Sequence, residues 1–420
     1  MNRNMLKVRE QLLRSFNMFT KKTTLLAILP ILAFSFYTTE ILAEDTKEEK
    51  TKKKEAATTP PSPPKPAAPV YVEDIDHLSD RDVGYGAETS FLTWHGYINF
   101  EFDKKQGTHS NFDNHEFYLS TQARVSNRVS LTAEFEFEHT PEKLILPIQA
   151  YADLKIAKSF IFRFGQFYTP MGISRSYNLR GNRNRMIRQV ALTHDIMFEN
   201  WSEIGINILG QFESGVFYDI AVGNGAPGTL KTGDSFFDST GDLQSHSEDN
   251  NENKAIHSRF GYHTKRFLNG EVNFGISLGT QKYDPDNTLR MTHTGFDVRF
   301  LHNSGVRLQA EYMKRSGDDN AEDLARGISA DALGWYVQLS KRFVSKGKKW
   351  LYYLEPVVQV DFIDLNTATE TNGDKVTTAL GFIYSPEPFY LVKFEYDVVK
   401  ELHGSKVSNN VFWGSIVVEF

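Results

Sequence analysis

The sequence has 420 residues, no cysteine, a formal net charge of −6, and 32 Phe beside 18 Tyr. Lacking cysteine, it has no disulfide framework, thiol nucleophile, cysteine-zinc site or lipidated cysteine, and its acidic balance argues against nucleic acid as a partner. The length fits two or three soluble domains or one large barrel, and the many aromatic strand formers favour the barrel.

Residues 1–43 read as an export signal: Lys21 and Lys22 lead the apolar run "LLAILPILAFSFY" from Leu25, and "ILA" before Glu44 is a small-residue cleavage site. A retained anchor is the weaker reading, because the run is shorter than the roughly 20 residues needed to span and contains Pro30. Met18 precedes the basic pair, so either Met1 or Met18 serves as the start. Residues 44–82 are Lys/Glu-rich and then Pro-rich, "TTPPSPPKPAAP", with little to bury. They are expected to form an extended periplasmic linker, leaving 83–420 as an outer-membrane β-barrel.

Beyond residue 90 the apolar residues recur with period 2. In "FLTWHGYINFEFD", Leu92, Trp94, Ile98, Phe100 and Phe102 share one face, opposite Thr93, His95, Tyr97, Asn99 and Glu101. Segments of this kind are expected at 90–103, 113–126, 128–139, 147–157, 160–168, 202–213, 215–223 and 255–264. Eight more follow at 270–282, 291–302, 304–315, 331–344, 350–363, 375–385, 389–400 and 410–420. Short links alternate with long polar ones, which predicts an all-β fold, a transmembrane antiparallel barrel of about 16 strands. An even strand number puts both ends on the periplasmic side. A soluble sandwich also alternates, but so many strands with such long loops exceed its usual dimensions. Aromatic residues near the short turns (Phe160, Phe343, Trp350, Phe389, Tyr390) and near long loops (Tyr168, Trp201, Tyr283) are expected in membrane-interface girdles.

In the last segment Phe412, Ile416, Val418 and Phe420 share one face. A final strand that closes the barrel explains an aromatic terminus, with Phe420 at the periplasmic rim. It resembles the C-terminal aromatic signature of outer-membrane barrels, which implies Phe420 as an assembly signal read by the barrel-insertion machinery. "FRFGQFYTPMG", residues 162–172, resembles the strand-end segment of the phosphate-selective porin O and P family at Phe164, Gly165, Gln166, Phe167, Pro170 and Gly172. The resemblance implies a 16-stranded, usually trimeric diffusion porin; phosphate specificity belongs to some members only and is not carried over by name.

Catalytic motifs are weak. "GISLG" at 275–279 matches a nucleophile elbow, but Ser277 falls inside an expected strand with no helix after it. The 12 His lack metal-ligand spacing, and the acidic stretches "DPDN" (284) and "SGDDNAED" (316) read as solvated loop tips rather than calcium sites. No catalysis, cofactor or metal is expected. Between Asp153 and Asp195, by contrast, there is no acid, and Arg175, Arg180, Arg183, Arg185 and Arg188 lie in this stretch. By count this is the third long loop, which in 16-stranded porins commonly folds into the barrel, so the resemblance implies an anion-binding constriction. A solvated outer loop, or one binding lipopolysaccharide phosphates, is the alternative. Glu134, Glu136 and Glu138 on the lumen wall would offer it partners. Arg163 is another expected wall residue, and acids outnumber bases on the faces assigned inward.

The expected function is passive diffusion of small ions or hydrophilic solutes across the outer membrane among lipids and lipopolysaccharide, either general or mildly anion-preferring, and the family resemblance implies a homotrimer. A surface scaffold or adhesin with a closed lumen is the alternative.

Overall fold

The computed structural model describes residues 91–138, 145–173, 186–188, 190, 192, 196–197, 201–225, 249, 251–319, 329–345, 350–367, 374–403 and 409–420. The expected signal and linker lie outside these residues. The strands are β1 (Leu92–Lys105), β2 (Ser110–Arg124), β3 (Val129–Glu138), β4 (Ile145–Ala157), β5 (Phe160–Tyr168) and β6 (Ser202–Gln211). They continue with β7 (Val216–Gly223), β8 (Ala255–Phe267), β9 (Gly270–Lys282), β10 (Arg290–His302), β11 (Val306–Gly317) and β12 (Ala332–Lys341). The last are β13 (Phe343–Val344), β14 (Tyr353–Asp364), β15 (Lys375–Glu387), β16 (Tyr390–Glu401) and β17 (Val411–Glu419).

Each strand pairs antiparallel with its chain neighbours, and β13 resumes β12 after Arg342 against the same partner, β14. The wall is therefore 16-stranded. It closes where β17 pairs with β1, from Lys105↔Val411 to Tyr97↔Glu419. Closure removes the free edge, so every strand satisfies its N–H and C=O groups within the sheet, as a lipid environment requires. Phe420 completes the seam: Gly96 and Phe420 exchange backbone hydrogen bonds of 3.1 and 2.9 Å. A Cβ on Gly96 would lie 2.5 Å from the Phe420 ring, so the ring fills the gap that glycine leaves in β1.

The alternation in sequence becomes an inside-out barrel. On β16, Phe394, Tyr396 and Val398 are exposed outward while Lys393, Glu395 and Asp397 are buried inward. On β9 the outward set is Phe274, Ile276 and Leu278, and the inward set is Asn273, Ser277 and Gln281. A water-soluble barrel would reverse this arrangement; an apolar exterior around a polar interior is the arrangement stable in a bilayer.

Three expectations need correction. Trp201 and Tyr283 are no girdle residues: both are buried inward in one apolar cluster, because the loop segment described below packs on them. Asp284 is not a solvated tip either. Its carboxylate accepts hydrogen bonds from Thr288 N (2.9 Å), Thr288 Oγ1 (2.7 Å) and Leu289 N (2.7 Å), closing the β9–β10 turn. These bonds lower its pKa against the opposing effect of burial, the largest single influence. Finally, the β1–β2 connection, residues 106–109, is as short as the turns at the opposite edge, so the alternation of link lengths is not strict.

Candidate functional site

The described residues between β5 and β6 lie inside the barrel, and the "FRFGQFYTPMG" stretch shows why the chain can turn inward. Gly165 has φ +123°, and a Cβ there would lie 2.4 Å from Ala150 O of the neighbouring strand. Only glycine allows that approach. Gln166 Nε2 then donates to Ile148 O (3.2 Å) and Ser202 Oγ (3.1 Å), tying β5 to β4 and to the first residue of β6. Gly172, with φ +65°, sits so close to Glu311 that a Cβ would overlap its Oε1 at 1.6 Å. Its N–H donates to Ser277 Oγ at 2.9 Å. Ser277, the centre of the elbow-like motif, is thus a buried wall residue that holds the incoming segment.

The described residues after 185 reach the far wall. Met186 packs with Tyr97, Tyr118, Tyr353, Val357 and Ile383, while Val190, Leu192, Ile196 and Met197 pack with Met291, Met313, Tyr336 and Ile363. The receiving surface is shallow because its inward residues are small. A Cβ on Gly381 of β15 would meet Met186 Sδ at 2.8 Å, and one on Gly334 of β12 would meet Ile196 Cγ1 at 3.1 Å. Thr377, Ala379 and Gly381 share the inward face of β15, giving a groove where bulkier residues would exclude the segment.

Arg188 fastens this contact. Its Nη2 donates to Asp361 Oδ2 of β14 at 2.7 Å and its Nε to Asp397 Oδ2 of β16 at 3.0 Å. Glu395 Oε2 accepts the main-chain N–H groups of Ile187 and Arg188, the latter at 3.2 Å. Burial disfavours the guanidinium charge, but Asp361, Asp397 and Glu395 outweigh it and raise the Arg188 pKa. The described anchor is thus on β14 and β16, not on the β3 carboxylates that the sequence nominates.

On β3, Glu134 accepts from Gln149 Nε2 (2.6 Å) and Ser120 Oγ (3.5 Å), and Glu136 is buried on the same inward face. Glu138 lies opposite Glu116 in the β2–β3 ladder. Arg163 makes a two-bond pair with Asp153 (2.6 and 2.8 Å) and lies over the Tyr151 ring at 3.8 Å. Arg175, Arg180, Arg183 and Arg185 lie outside the described residues.

Two other nodes escaped sequence reasoning. Glu203 accepts from Trp201 Nε1 (3.0 Å) and from Gly225 N (3.3 Å), with His257 Nδ1 at 3.5 Å, so it joins the end of the inserted segment to the wall. Arg259 grips Asp297 with two bonds, 2.9 and 2.6 Å, and Asn273 with a third at 3.0 Å. The in-strand positions were legible as inward; the partners were not.

The chain is similar in fold to the outer membrane channel DcaP of Acinetobacter baumannii, with TM-score 0.54 and 13% identity, covering 80% of this chain and 99% of that one. The anion-selective porin from Comamonas acidovorans gives 0.53 and 11%, covering 78% and 99%. OmpT, an outer membrane protein of Vibrio cholerae, in its trimer form, gives 0.52 and 14%, covering 78% and 99%. At such low identities the likeness shows the closed antiparallel β-barrel fold and nothing finer. No protein-family profile and no curated protein matches the sequence.

Proposed function

We propose that the chain is a diffusion channel of the bacterial outer membrane, exported by residues 1–43 and carrying residues 44–82 as a periplasmic linker. It passes small hydrophilic solutes without catalysis. The observation that carries this reading is a closed barrel, apolar outside and polar inside, with a chain segment fixed across its interior. The solved barrels it resembles are named as channels and porins, one of them anion-selective and one a trimer. They support the same role and a homotrimeric assembly here.

The finer reading is a preference for phosphate-like anions, set by Arg175, Arg180, Arg183 and Arg185 of the sequence between β5 and β6 and consistent with the local resemblance to the porin O and P family. Planar-bilayer recording tests the role: discrete ohmic steps are expected, whereas a silent, correctly folded barrel would favour the closed surface scaffold. The zero-current potential in a salt gradient then tests the anion preference.

A further inference from the structure

The outward face of the barrel is not uniform. On β16, counted from the edge that holds the chain termini, it is apolar at five successive positions, Tyr390, Val392, Phe394, Tyr396 and Val398. On β10, counted from the same edge, it is apolar at three, Phe300, Val298 and Phe296, and then turns to Thr294, Thr292 and Arg290. The apolar belt on β10 is thus shorter by two positions, roughly 13 Å of strand. The neighbouring strands follow: β9 changes from Leu278 to Thr280 and Lys282, and β11 from Tyr312 to Lys314 and Ser316. The ladder sets Lys282 opposite Arg290 and Lys314 opposite Thr294, so three cations and several hydroxyls share one outward patch.

The barrel itself makes little use of these cations. Lys282 Nζ donates to Thr288 O at 2.8 Å, while the side chains of Arg290 and Lys314 have no hydrogen bond or ion pair among the described residues. Two nearby acids are engaged by other donors: Asp318 accepts the main-chain N–H of Arg290 at 3.0 Å, and Asp284 closes its own turn. Long basic side chains at the margin of an apolar belt lay their stems on the wall and bring their charges to the polar boundary, where anionic head groups attract them. Strands of such barrels tilt by about 35–45°, so the step from the Lys282–Arg290 pair to Lys314 is partly lateral. That spread suits a head group with two separated phosphates.

We propose that the outward face of β9–β11 binds the phosphorylated head group of lipid A, the glycolipid anchor of lipopolysaccharide, through Lys282, Arg290 and Lys314, with the acyl chains lying against Ile276, Phe296 and Tyr312. The proposal rests on the outer-membrane reading, which puts the edge opposite the chain termini in the outer leaflet. Arginine forks and lysine point charges both suit phosphate oxygens, and the Thr294 hydroxyl is a neutral donor beside them. Covering the same patch with the apolar wall of another copy would desolvate three cations, which is costly, whereas the lipid brings their counter-charges with it.

The test titrates diphosphoryl lipid A into the full chain folded in detergent micelles, with binding read by native mass spectrometry. A cation near an anionic lipid surface contributes about fivefold in affinity, so Lys282→Gln, Arg290→Gln and Lys314→Gln together are expected to weaken binding roughly 100-fold, and Arg290→Gln alone roughly fivefold. Lys104 of β1 and Lys400 of β16 are outward cations at the same edge. Changing both to Gln should leave the affinity as it is. Monophosphoryl lipid A should bind the wild type more weakly than the diphosphoryl form and lose less on substitution. Equal affinity of wild type and the triple variant, or an equal loss in the Lys104 and Lys400 variant, overturns the proposal. If the triple variant does not fold, R290Q alone decides by the same titration. A fall in oligomeric mass in the same spectra with lipid occupancy unchanged would assign the face to a contact between copies and overturn it as well. Binding in micelles does not require conduction, so a silent bilayer would reject the channel and leave the lipid site standing.

Discussion

Two arginine sites inside the barrel make opposite use of the same chemistry. Arg259 and Asp297 sit on nearby strands, share two hydrogen bonds, and are complete within the wall. Arg188 comes from a loop and is divided between two aspartates, while a third carboxylate takes the loop's main chain. The first pair neutralises itself where the ladder puts it. The second joins two parts of the molecule that are far apart in sequence. A buried pair within a wall therefore serves the barrel, whereas a shared pair across the lumen serves the placement of the loop.

The largest expected effect comes from breaking the wall pair. Asp297→Ala leaves the Arg259 charge buried without its main partner, and removing one member of such a pair costs about 3–5 kcal/mol. A lower urea midpoint of the refolded barrel checks it; an unchanged midpoint would mean that water reaches Arg259 and that the two sites do not differ in kind.

Arg188→Gln is expected to cost less, roughly 1–3 kcal/mol as lost charged hydrogen bonds, and to cost it locally. The strand ladder should keep its heat-modifiable migration while trypsin cuts faster between β5 and β6 and channel noise rises. Loss of the folded barrel itself would show that the fastener holds the wall as well as the loop.

Arg180, Arg183 and Arg185 should affect selectivity with little effect on stability. Replacing them with Gln is expected to move the zero-current potential toward cations. The shift should shrink with salt, as the screening length falls from about 10 Å at 0.1 M to about 3 Å at 1 M. An unchanged potential at low salt would leave the acidic wall as the source of selectivity.

The smallest effect is at Asp284, where the carboxylate closes a turn outside the spanning strands. Its pKa is lowered in the folded state, so its contribution is fully present above the unfolded value, about 3.9. It is lost as pH falls through the lower folded value. Asp284→Asn should cost about 1 kcal/mol near neutral pH and nothing once the wild-type carboxyl is protonated. A difference that persists at the lowest pH would contradict the turn-closing role.

The strands were legible from sequence because alternation is a local property: once Trp94, Ile98 and Phe100 face lipid, Tyr97, Asn99 and Glu101 have to face inward. The expected segments therefore match the strands to within a few residues. Phe420 was legible for the same reason, as the end of a period that places it beside Gly96. The acid-free stretch and the glycines of "FGQFYTPMG" marked where the chain leaves the wall. Only the tertiary structure decided what Arg188 touches. Its partners lie 173 and 209 residues away, and they meet it because the barrel closes and the inward face of β15 is small enough to receive the loop. Trp201 and Tyr283 show the same limit: an aromatic residue at a strand end fits lipid or lumen equally well by sequence, and the packing of the inserted segment selected the lumen.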